Sequence, residues 1–136
     1  MTPFPRESLQ PVEAVISGVP GDAAVTIPLR PITLAGEVVE TTIHLEGVAL
    51  PSLDPRDLAG RSLEFPVNPA EGYIDGSVYI GHAHHPVDVT RITFSIAGDG
   101  GLVAKFSAKL VFTHEGLMDF EDVAVDFEAG VRLQAG

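Results

Sequence analysis

Residues 87–113 read VDVTRITFSIAGDGGLVAKFSAKLVFT. Apolar and polar side chains alternate on both sides of Gly98-Asp99-Gly100-Gly101, the pattern of two half-buried antiparallel strands joined by a tight turn. A two-residue Asp99-Gly100 turn would set Ile92, Phe94 and Ile96 opposite Ser107, Lys105 and Val103, mixing the two faces. A three-residue Gly98-Asp99-Gly100 loop, with a glycine in the left-handed region, instead pairs 97 with 101. Ile96 then meets Leu102, Phe94 meets Ala104 and Ile92 meets Phe106, so each face has one character. This is the expected register.

Working outward, period-two alternation recurs, and nowhere does helical spacing persist over three turns. Expected strands are 12–18, 23–29, 36–49, 61–67, 72–80, 87–97, 102–113 and 120–133. In SLDPRDLAG, Asp54 is placed as an N-cap, Pro55 at the first helical position and Gly60 past the end, so one short helical turn is expected near 55–59. The fold class is therefore all-β: an antiparallel β-sandwich or a closed β-barrel of about eight strands, in a single domain spanning 1–136. All eleven prolines lie at or before Pro86. They punctuate the first part of the chain and leave long uninterrupted strands to the last.

Composition narrows the function classes. No cysteine is present, which excludes disulfide frameworks, thiolate catalysis and sulfur-ligated zinc within these residues. Nineteen acids against eight bases give a formal charge of −11, a field that repels phosphate backbones and anionic lipid surfaces. Direct nucleic-acid binding and membrane association are not expected. The proline-rich start MTPFPRESLQPV shows no leader-like apolar run, and a cytoplasmic protein is the default expectation. Acids crowd the end of the chain, where Glu115, Asp119, Glu121, Asp122, Asp126 and Glu128 occur without a Lys or Arg among them. Such a run reads either as a solvated strand face or as a surface complementary to a basic protein partner. Lys105 and Lys109, with Arg91 opposite Ser107, form an outward basic stripe that acids of strand 120–133 would meet.

Three of the five histidines fall in GHAHHPVDV, residues 81–89. With 81–86 read as a loop, strands 87–97 and 102–113 bring His114 and Glu115 to the same end of the sheet. Continuing the register puts His84 opposite His114, with Cβ atoms about 4.5–5.5 Å apart if the ladder persists. His82, His84, His114, Glu115 and Asp88 make a chemically reasonable ligand set for zinc, iron, manganese or nickel, and Asp119 lies near the same rim. Gly76, five residues, His82-Ala83-His84, three residues and Asp88 are similar to the first metal-binding motif of the cupin barrels. That motif has Glu where Asp88 stands; its closing glycine arrives late, at Gly98, and no second motif surrounds His114. The resemblance implies a β-barrel with a metal near its mouth. Read without it, the segment is a hydrated polar loop, or a pH-sensitive patch. Tyr73, Asp75, Ser77 and Tyr79 share a strand face that either lines a ligand pocket or meets solvent.

Three functions follow as expectations. The first is a non-catalytic, cofactor-free acidic domain that binds a basic protein partner, for instance in the manner of an immunity protein neutralising a cationic toxin. The others are a small metal-dependent β-barrel enzyme using the histidine rim, and a β-barrel carrier of a hydrophobic small molecule. Homo-oligomerisation is left open.

Overall fold

A computed structural model describes residues 3–34, 36–113 and 120–134. The 87–113 hairpin adopts the expected register, with Ile96 opposite Leu102, Phe94 opposite Ala104 and Ile92 opposite Phe106. A backbone hydrogen bond of 2.8 Å from Ala97 N to Gly101 O closes the three-residue loop.

Around it run β1 (Ala14–Val19), β2 (Asp22–Pro28), β3 (Ile32–Leu34), β4 (Glu37–Val39), β5 (Thr42–Val48), α1 (Pro55–Leu58), β6 (Ser62–Glu64), β7 (Asp75–Ile80), β8 (Ala83–Ile96), β9 (Leu102–Leu110) and β10 (Val123–Leu133). Of the two architectures expected, the protein is the barrel. Seven strands close in the order β1, β2, β5, β7, β8, β9, β10, and β10 returns to β1. That last seam, Ala14–Ile16 against Val131–Leu133, is parallel, so the barrel is mixed. β6 adds an eighth strand to the sheet by pairing with β8, and β3 and β4 form a separate hairpin. The expected strand 36–49 is thus two strands, broken at Glu40-Thr41.

The interior is filled by side chains. Along β9, Leu102, Ala104, Phe106, Ala108 and Leu110 point inward, and small residues meet large ones across the ladders. Ala104 lies between Phe94 and Ala129, while Phe106 lies between Ile92 and Phe127, the two phenyl rings stacking at 5.2 Å. Such alternation lets a tapering barrel reach native packing density. At one end, Phe4, Phe112 and Phe120 pack with ring centroids 5.2–5.5 Å apart. The helical turn forms as expected: Asp54 caps α1 through Arg56 N at 2.9 Å, and the Arg56 guanidinium holds its carboxyl down at about 2.

Candidate functional site

The histidine segment is not the expected loop. Ile80 pairs with Ala83, so only Gly81 and His82 turn the chain, with φ of +63° and +68°. Positive φ at both central residues is the type I′ geometry whose twist matches the flanking strands. From Ala83 onward the segment is β8, and its side chains alternate: Ala83, His85, Val87 and Val89 inward, His84, Pro86 and Asp88 outward.

The three neighbouring histidines therefore part company. His82 is exposed at the turn tip. His84 is exposed opposite Tyr79, their rings 4.9 Å apart. His85 is fully buried, 2.9 Å from the Ile80 carbonyl through Nε2 and 5.1 Å from the Phe112 ring. Because a carbonyl only accepts, Nε2 carries the proton. Nδ1 is then a buried acceptor, and among the described residues it has no partner.

A β-bulge between Val89 and Arg91 shifts the β8–β9 ladder by one residue, so Asp88 faces Lys109 and Val87 faces Leu110. Continued past the bulge, this frame brings His84 level with residue 113 rather than 114. His114, Glu115 and Asp119 lie outside the described residues. Among those described, no three His, Asp or Glu side chains gather closely enough to hold a metal ion.

β8 has a second structural role that does bring predicted residues together. β9 runs along one of its edges; the other edge is taken first by β7, at residues 83–86, and then by β6, at 91–93. The chain between β6 and β7 spans the interval, tied at one point by Phe65 N to Thr90 O at 2.9 Å. Here a cavity of 210 Å³ opens on the outer wall, lined by Tyr73, Asp75, Ser77, His84, His85 and Asp88 among others. Three residues of the strand face picked out in GYIDGSVY and four of the histidine segment, His84, His85, Pro86 and Asp88, thus converge. Gly76 stands between Asp75 and Ser77 because β8 passes so close: a Cβ there would lie 2.3 Å from the Val87 carbonyl oxygen.

Charge divides the barrel into two walls. On the β8–β9–β10–β1 side cations meet acids: Arg91 pairs with Glu64 and Arg132 with Glu13 at 3.0 Å, while Lys105 stands opposite Glu128. The expected basic residues Arg91, Lys105 and Lys109 lie on this side, and among the described residues Arg91 is the one of the three that forms an ion pair. On the other wall, β2, β5, β7 and residues 83–90 contain no Lys or Arg. Glu46 and Asp75 are directly opposed there, an arrangement of like charges that costs stability. Tyr79, 47 % exposed, stands on the same face.

The acid-rich end of the chain also contains a structural anchor. Asp122 accepts from Phe112 N at 2.8 Å, Thr113 N at 3.0 Å and Thr113 Oγ1 at 3.0 Å. These bonds, Thr113 N first among them, hold its carboxyl below the usual range. Comparison with known protein families, characterised proteins and solved structures finds no match for this chain.

Proposed function

We propose that this protein is a non-catalytic binding domain whose β5–β7–β8 wall receives a basic protein partner. The observation that carries the reading is the separation of charge: the acidic excess is countered by cations on one wall and left without them on the other. Opposed carboxylates such as Glu46 and Asp75 are a standing cost to the free protein, and a partner's cations remove it. Tyr79 supplies what charge alone lacks, an exposed aromatic surface suited to anchor an interface. A cationic toxin held inactive by such a wall is one concrete form of partner.

The test is to follow backbone amide shifts of the protein as a small cationic protein is added at low salt. Shifts are expected at His44, Glu46, Asp75, Tyr79 and His84, and they should vanish between about 0.01 M and about 1 M salt, as the screening length falls from about 30 Å to about 3 Å. Glu46→Lys with Asp75→Lys should abolish them, whereas Glu128→Lys should not. Shifts spread evenly over both walls would refute the reading.

A further inference from the structure

On the wall that carries the partner-binding reading, the groups able to become cations are imidazoles. β2, β5, β7 and residues 83–90 contain four acids, Asp22, Glu46, Asp75 and Asp88, and no Lys or Arg. They also contain three histidines. His85 is buried inside the barrel, whereas His44 and His84 are exposed on the outer face.

Strand register fixes what surrounds each of the two. His44 stands between Thr26 of β2 and Ser77 of β7, and the row next to it on the same face is the opposed pair Glu46 and Asp75. On its other side lie Thr42 of β5 and Tyr79 of β7. His84 stands opposite Tyr79 with the rings 4.9 Å apart, and it lines the outer-wall cavity together with Asp75 and Asp88. Along its own chain its neighbours are His82 at the turn and Pro86. Towards β9 it is level with Thr113, whose N–H and hydroxyl are bonded to Asp122. Neither His44 nor His84 enters an ion pair among the described residues.

Histidine is the side chain whose ordinary charge change falls between pH 5 and 8, a range over which carboxylates ordinarily stay ionised and Lys and Arg stay charged. Protonation of both exposed imidazoles therefore halves the negative charge of this wall and places positive charge where a basic partner sits. We infer that His44 and His84 make the wall a pH-dependent receptor, which holds its basic partner under mildly alkaline conditions and releases it on mild acidification. The inference rests on the partner-binding reading and adds the regulation of that site.

The probe is a deca-lysine peptide with acetylated and amidated ends, whose own charge is constant over this range. It is titrated into the full chain at about pH 8 and about pH 5.5. Salt is kept at about 0.01 M, and binding is followed by amide shifts at Glu46, Asp75 and Tyr79. The dissociation constant is expected to rise about tenfold on acidification, the scale of two exposed charges acting on a partner's cations. His44→Gln with His84→Gln should bring the ratio between the two pH values close to one, with circular dichroism confirming the fold at both. His82→Gly, which removes the imidazole at the turn tip, should keep the ratio of the wild type.

A pH dependence that survives the double variant, or that disappears with His82, overturns the switch. If the peptide binds the wall in a salt-dependent way and equally at both pH values, the switch falls and the wall stands. If it binds at neither, both fall.

Discussion

Gly76→Ala is the sharpest test of the close passage of β8 over β7. The new methyl carbon would lie 2.3 Å from the Val87 carbonyl oxygen and 2.9 Å from Leu45 Cδ2, where ordinary contacts are 3.4–4 Å. Leu45 is a flexible side chain and yields; Val87 O is backbone within the barrel wall. Moving it from 2.3 Å to at least 3.4 Å stretches the adjacent β7–β8 ladder beyond hydrogen-bonding distance near Ser77–Pro86. Overpacking of this kind costs about 1–3 kcal/mol, and one or two weakened ladder bonds add about 1 kcal/mol each. Alanine's lower backbone entropy in the unfolded chain returns about 0.5–1 kcal/mol. The net is a loss of roughly 2–3 kcal/mol. With a urea m-value of about 2 kcal/mol/M, the midpoint should fall by more than about 1 M. Gly130→Ala is the control: it makes the same chemical change in β10, where no atom lies within 4 Å of the new carbon, and should leave the midpoint unchanged or raise it slightly. Equal midpoints for the two variants would refute the close passage, and with it the reason given for glycine beside Asp75.

Asp122 predicts an acid-sensitive anchor. Its carboxyl lies below the unfolded value of 3.8, so its contribution is complete above that pH and is lost as pH falls through the folded value. Asp122→Asn should cost about 1 kcal/mol at pH 6, and urea titrations should show the difference from the wild type shrinking by pH 3; a constant difference would count against the anchor. His82, at φ +68°, should be improved by glycine and harmed by a β-branched residue. His82→Gly is expected to gain up to about 1 kcal/mol and His82→Val to lose about 1 kcal/mol or more in thermal unfolding, and the reverse order would exclude the type I′ turn.

What the sequence disclosed depended on how local each cause was. The 87–113 hairpin was readable because three glycines and two alternating strands constrain one register, and the α1 turn because its cap, proline and stop lie within seven residues. Barrel closure was not, since the parallel β1–β10 seam joins chain segments more than a hundred residues apart and leaves no mark on either. β3 escaped because its three residues, directly after Pro31, are too few for periodicity to show. The histidine segment misled for two reasons. Gly-His is not a common type I′ pair, so the turn looked longer than it is. His85 reads as polar in the sequence, although a single carbonyl at 2.9 Å satisfies its only N–H and leaves the ring free to pack on Phe112.

The bulge did leave a signal. Inward residues of β8 are odd-numbered through Val89 and even-numbered at Ile92 and Phe94, with Thr90 and Arg91 marking the change. A strand that keeps one apolar face inward can change parity only by inserting a residue, so VDVTRITF encodes the shift. The same irregularity bears on the cavity. β7 and β6 meet one edge of β8 on opposite sides of the parity change, and the interval between them is where the wall opens beside Asp75 and Asp88. The polar face of GYIDGSVY and the histidine segment converge because β8 exchanges one neighbour for another at that point. Two stretches that carry little information separately therefore acquire a joint chemistry through register, a relation that neither local composition nor a short motif expresses.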